Sequence, residues 1–279
     1  MKRVSKAGLH GGASAPFSFG DAVRSYLLRR SRGHTTSIIA EGFAASWGRM
    51  PVEDVTSRWI DAWVSGRLKE VSSATARREA TTLMAVLKMA HMSGRLAAMP
   101  TLVRPLDGEP RLRALSEIEV GQLIAHPVSS EQKVWELASF MLETGARIGE
   151  ALALEWVDVD LVAREVTFRS RKGTGVLRAR VIPLSLQAVE ILQALKLDEP
   201  RPFDWPSVSA ASLAATALGV RRGLVDFTSH DLRRTFASRL LAKRVDIRVV
   251  AELLGHSSLA MVMRYAVPTR DLMRSAINL

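Results

Sequence analysis

Thr228-Ser229-His230-Asp231-Leu232-Arg233-Arg234-Thr235-Phe236-Ala237-Ser238 is the stretch from which the rest of this 279-residue chain can be read. Thr228 or Ser229 can cap a helix whose first turn carries Asp231, an acid where the helix dipole favours negative charge. The helix therefore starts near His230. Leu232, Phe236 and Leu240 recur every four residues as its apolar stripe, while His230 and Arg233, three apart, share a neighbouring face.

Further along, a second helix from about Asp246, with Val249, Val250, Leu253 and Leu254 on its apolar side, is stopped by Gly255, the residue best able to take a left-handed turn. His256 follows at that stop. Ser257 or Ser258 can cap a third helix ending at Tyr265, which puts the phenol about two turns beyond His256. Breaking a phosphodiester needs such a set: a nucleophile for phosphorus, cations for charge on the non-bridging oxygens, and a proton donor for the leaving oxygen. Arg233, with a planar fork able to bind two phosphate oxygens, suits the second role, and Tyr265 suits the first.

Residues 230–238, Leu253-Leu254-Gly255-His256-Ser257-Ser258 and a tyrosine nine positions after that histidine resemble the C-terminal boxes of tyrosine recombinases, the phage integrase and Xer-like family. Upstream, Glu143-Thr144-Gly145-Ala146-Arg147-Ile148-Gly149-Glu150-Ala151-Leu152 resembles the family's first arginine box. Gly145 ends one helix and the next begins at once, so Arg147 stands at a helix start with its charge outward; Glu150 can hold it through an ion pair. Residues 165–169 and 177–183 read as two strands joined by a Gly- and Thr-containing turn. Lys172 in that turn stands where the family carries a hairpin lysine.

The resemblance implies six catalytic residues: Arg147, Lys172, His230, Arg233, His256 and Tyr265. Tyr265 would form a 3′-phosphotyrosine, Arg147 and Arg233 would bind the non-bridging oxygens, and Lys172 would protonate the leaving 5′ oxygen. His230 would move the tyrosine's proton and His256 would donate to the phosphate. It implies no metal, nucleotide or other cofactor, and double-stranded DNA as partner. It also implies a tetramer on paired DNA sites, with the C-terminal helix exchanged between protomers. The rivals are a catalytically silent DNA-binding accessory protein or repressor of the same fold, and a relaxing topoisomerase with the same chemistry.

Toward the N-terminus the pattern is helical over 17–30, 35–47, 56–66 and 72–93, with Leu83, Met84, Leu87, Met89, Ala90 and Met92 expected on the buried side of the last helix. These four resemble the family's core-binding (SAM-like) domain. Arg77, Arg78, Lys88 and Arg95 are its candidate DNA contacts. Pro100, Pro105 and Pro110 interrupt every periodicity and mark a boundary. The expected organisation is thus a flexible basic tail (1–16), a helical core-binding domain (17–99), a linker (100–113) and a catalytic domain (114–279) ending in a docking helix. The fold class is mainly α with a small antiparallel sheet in the catalytic domain. Helices are expected over 185–196 and 209–222, and the proline-rich segment 200–206 between them reads as a surface loop without chemistry.

Composition agrees with a folded, DNA-acting chain. Hydrophobic residues make up 47% and charged ones 24%; the net charge of +11 and pI of about 10.7 predict attraction to a polyanion. Residues 1–110 carry 16 basic against 9 acidic side chains, so the N-terminal part is basic in its own right. With no cysteine, neither a disulfide framework nor a thiolate zinc site is available. The histidines at 10, 34, 91, 126, 230 and 256 form no His-x-x-x-His pair, which makes metal-assisted hydrolysis the weaker chemistry. No apolar run approaches a membrane span and no signal-peptide core is seen, so a cytoplasmic protein without membrane contact is expected.

Overall fold

The computed structural model describes residues 16–29, 33–106, 111–171, 177–195, 199–256, 258–263 and 277. The chain divides into two compact units, Met1–Pro110 and Arg111–Leu279. No helix among the described residues is long and apolar enough to cross a membrane. The basic tail lies almost wholly outside the described residues.

The first unit holds α1 (Phe19–Leu28), α2 (His34–Trp47), α3 (Ser57–Glu70) and α4 (Ser73–Met92). Each of three starts is capped as the sequence dictates. Ser18 closes a capping box with Asp21 on α1, Thr56 accepts from the Trp59 N–H on α3, and Ser72 accepts from Thr75 on α4. The start of α1 lies against the end of α2, where the Gly20 N–H donates to the Gly48 carbonyl at 3.0 Å. A Cβ on Gly20 would sit 2.8 Å from that oxygen, so glycine is required there.

On α4 the buried stripe is Ala76, Ala80, Leu83, Leu87 and Ala90, a spacing of four and three that turns one face inward. Met92, expected on that side, is 67% exposed instead; the small alanines let α1 and α2 approach, and the stripe has rotated past position 92. Trp47 centres an aromatic cluster with Phe19, Phe43, Trp59 and Trp63, its rings 4.8 to 6.2 Å away. The largely buried Glu79 takes a two-pronged contact from Arg67 at 2.7 and 2.9 Å.

The second unit is built around α6 (Gln132–Thr144), whose Leu137, Phe140 and Met141 are fully buried. It is preceded by α5 (Glu117–Ile124), which opens with a capping box between Ser116 and Glu119, and followed by α7 (Ile148–Leu152). The sheet is three-stranded and antiparallel in the order β1 (Val159–Asp160), β2 (Glu165–Arg171), β3 (Leu177–Pro183). The β2–β3 register pairs Val166 with Ile182 and Phe168 with Arg180. Val166, Phe168 and Ile182 face the core, so Arg180 also sits on the inward face. The short β1 was not expected; two residues carry too little alternation to register as a strand.

The remaining helices are α8 (Leu186–Ala194), α9 (Val208–Arg221), α10 (Ser229–Ala242), α11 (Ile247–Leu254) and α12 (Leu259–Met263). The segment 200–206 is not a detached surface loop. Phe203 is buried with its ring 4.9 Å from that of Phe140, and Trp205 packs against the same core under the Lys133 ammonium at 5.3 Å. Its aromatic residues outweigh the prolines that made it look like a loop, and it serves as an irregular part of the core wall.

Candidate active site

In the second unit, α6 and α11 both end at left-handed glycines. At the end of α6, Gly145 has φ +63° and its N–H donates to the Met141 carbonyl at 2.9 Å. At the end of α11, Gly255 has φ +64°; its N–H donates to Glu252 and the His256 N–H to Ala251, both at 2.9 Å, the paired bonds of a Schellman motif. That motif fixes the backbone of His256.

Both ends converge on Arg233. This side chain leaves α10 and is only 1% exposed. Its Nη1 donates to the Gly145 carbonyl at 2.7 Å and its Nη2 to the Leu254 carbonyl at 2.5 Å. A cation between two helix C-termini meets the negative ends of both dipoles. The sequence reading put Arg233 on a face beside His230, open to an anion; the structure sinks its guanidinium beneath that face, because two carbonyls accept from it.

α10 itself is anchored through Asp231, which is fully buried. Asp231 accepts from the Thr228 N–H at 2.9 Å, the cap expected from the sequence, and pairs with Arg111 at 2.7 Å and Arg234 at 3.1 Å. The Thr235 hydroxyl donates to the Asp231 carbonyl at 2.7 Å and accepts from the Leu115 N–H at 2.8 Å. His230 is thus held at the first turn of an immobilised helix.

Arg147 caps α7, and Glu150 accepts from its backbone N–H at 2.9 Å and from its Nη1 at 2.7 Å, the contact expected from their spacing. The Arg147 side chain is 42% exposed, whereas that of Glu150 is 7% exposed. Glu150 also accepts a fork from Arg180, Nη1 to Oε1 at 2.9 Å and Nη2 to Oε2 at 2.8 Å, and lies 3.9 Å from Arg233. Arg180 was missed by sequence reasoning. The available signal was alternation on β3, where Ala179 and Val181 point one way and Arg180 shares the inward face with Ile182.

The electrostatics follow. Burial pushes the Glu150 carboxyl up, but the hydrogen bonds and charge of Arg180, with the Arg147 N–H and charge, outweigh it and bring it down to about 2. His256 is lowered to about 4 by burial and then by Arg233, Arg147, Arg180 and His230. His230 is lowered by burial and by Arg234 and Arg233, against a smaller opposing effect of Asp231. Arg233 and Arg147 act on both imidazoles, and in both the neutral form is favoured.

The structure therefore brings Arg147, His230, Arg233 and His256 to one locality around Glu150. Lys172 and Tyr265 lie outside the described residues. In the first unit, Arg77 and Lys88 lie on one flank of α4, Arg78 is exposed to one side of them, and the exposed Arg95 rests over the Phe17 ring at 5.5 Å.

The phage integrase family profile matches residues 113–270, more than half of the chain. The chain belongs to the phage integrase family, the tyrosine-type site-specific recombinases. A relative, tyrosine recombinase XerC of Xanthomonas campestris pv. campestris, is 26% identical over 259 residues, covering 87% of this chain and 79% of its own length. Among solved structures, the Tn1549 transposon integrase in complex with circular intermediate DNA superposes with a TM-score of 0.72 at 20% identity, over 93% of this chain and 99% of that one. A lambda integrase dimer bound to a COC′ core site gives 0.74 at 23% identity, over 89% and 94%. At these identities the likeness is one of fold, and it extends over both units.

Proposed function

We propose that this family member cleaves and rejoins double-stranded DNA at specific sites through a 3′-phosphotyrosine at Tyr265. The phenolic oxygen attacks the phosphorus, the bond to the 5′ oxygen breaks, and Lys172 gives that oxygen a proton. The phenol's proton passes to His230, whose depressed basicity leaves it neutral and able to accept. A 5′ hydroxyl from a partner strand then attacks the phosphotyrosine and frees Tyr265. Because the ester conserves the energy of the broken linkage, the exchange calls for no nucleotide.

What carries this reading is the gathering of Arg147, Arg180 and Arg233 on the one buried carboxylate of Glu150, with the Arg147 guanidinium exposed at its rim and His230 and His256 near enough for Arg147 and Arg233 to disfavour their charged forms. Arg147 can meet the non-bridging oxygens directly. Arg233 adds its charge from beneath, and neutral His256 offers an N–H. Residues 17–99 of the first unit would act as the core-binding domain, with Arg77, Arg78, Lys88 and Arg95 on DNA phosphates. The assembly would be a tetramer on paired sites with the C-terminal helix exchanged; a lambda integrase tetramer on a Holliday junction is among the structures that share this fold.

The test incubates the protein with DNA flanking its own coding region, nicked so that the cleaved product is trapped. A tyrosine-linked adduct is expected, absent in Tyr265→Phe with DNA binding retained. An adduct formed by Tyr265→Phe would reject the nucleophile; binding with no adduct from the unaltered chain would favour a silent accessory protein.

A further inference from the structure

We propose that Arg180 is a positioning residue that keeps the Arg147 fork open for phosphate and holds the turn beneath His256. This rests on the recombinase reading above. Among the described residues, the two oxygens of Glu150 accept four hydrogen bonds. Oε1 takes Arg147 Nη1 and Arg180 Nη1; Oε2 takes the Arg147 backbone N–H and Arg180 Nη2. Among the described residues, Arg180 alone holds the carboxylate with both prongs.

Arginine–carboxylate pairs are frequently two-pronged, and such a pair between Arg147 and Glu150 would consume the planar edge that matches phosphate. With Arg180 occupying that edge of Glu150, Arg147 is tethered end-on through one nitrogen and remains 42% exposed. The buried carboxylate is also neutralised by a second cation, so the locality stays positive.

Arg180 reaches the other half of the site as well. Its Nε donates to the Leu253 carbonyl at 3.1 Å, one residue before the carbonyl that accepts from Arg233. Its side chain also packs under Gly255, where a Cβ would lie 3.1 Å from Arg180 Cδ. The Phe168 ring, 4.9 Å from the guanidinium, supports it from the core side. One side chain thus spans Arg147, through Glu150, and the turn that carries His256.

Arg180→Lys keeps the charge and loses the fork, and is the variant to make. Its DNA binding should stay close to that of the unaltered chain, while formation of the tyrosine adduct on the nicked duplex slows about ten- to hundredfold. That deficit should shrink severalfold on a duplex whose scissile phosphate carries a methyl in place of one non-bridging oxygen, since a neutral linkage relies less on Arg147. Equal slowing on both duplexes, or no slowing, overturns the proposal.

An arm without DNA keeps the two readings apart. Exchange of the His256 amide hydrogen, bonded to Ala251, should quicken about tenfold in Arg180→Lys with the α6 amides unchanged. Unchanged exchange rejects the positioning role whatever the activity. An unaltered chain that forms no adduct rejects the recombinase reading instead.

Discussion

Arg147 and Arg233, proposed above to serve the same phosphate, stand in opposite physical situations, and their substitutions should separate accordingly. Arg147 is half in solvent and Glu150 retains Arg180 without it, so Arg147→Ala should cost under about 1 kcal/mol of stability, as exposed pairs do. Its adduct formation should nevertheless fall by about two to three orders of magnitude. Arg233→Ala removes a buried cation from two helix ends and should lose about 3 to 5 kcal/mol as well as activity. Urea denaturation alongside single-turnover cleavage checks both. Equal stability loss in the two variants would contradict the assigned burial.

His256 gives the same scale a pH dependence. Its pKa is near 4 in the fold against an ordinary value of 6.5, so between these pH values the unfolded chain holds a proton that the folded chain refuses. Stability therefore falls as pH drops from 7 toward 4. His256→Gln should flatten that slope, measured as the shift of the urea midpoint between pH 7 and pH 5. Glu150 acts in the same direction lower down, from its ordinary 4.5 to about 2.

Among elements, the left-handed Gly145 and Gly255 matter because helix ends deliver the site. A Cβ on Gly145 would sit 2.4 Å from Phe236 Cδ1, whereas Gly94, with a similar φ of +70°, has nothing within 4 Å. Gly94→Ala should cost about 1 to 2 kcal/mol from backbone strain alone. Gly145→Ala should cost clearly more, read as a larger drop in the urea midpoint. Leu87→Ala on the fully buried stripe of α4 belongs to a separate core and should lose about 2 to 5 kcal/mol without touching the site.

These elements also show what the sequence makes legible. Caps and stops are local chemistry, so Ser116, Thr228, Gly145 and Gly255 mark their helix ends without tertiary information. The Arg147–Glu150 contact is equally local. Arg180 is not: its partner Glu150 is thirty positions away, and only the β2–β3 register turns it inward. The sinking of Arg233 depends on carbonyls from two other helices, and the burial of Phe203 and Trp205 on a core that no window of sequence displays. Met92 failed for a subtler reason, since alanines that look neutral define the true stripe of α4.

For the molecule as a whole, the apolar core of each unit among the described residues is drawn from that unit alone. Residues 111–279 expressed by themselves should therefore keep their helical circular dichroism and melt cooperatively. With 16 basic and 9 acidic side chains removed alongside residues 1–110, their DNA affinity should be weaker and its dependence on salt shallower. Titrations at several salt concentrations test this, and an unchanged slope would deny the first unit a share in phosphate contact.

The placement of Arg233 has an evolutionary corollary. A descendant that abandoned strand exchange could discard Arg147 with little harm to folding, yet it would be obliged to retain Arg233, whose loss unseats two helices. An intact arginine at 233 is then a poor witness to surviving activity in distant descendants. The arginine at 147 is the informative one.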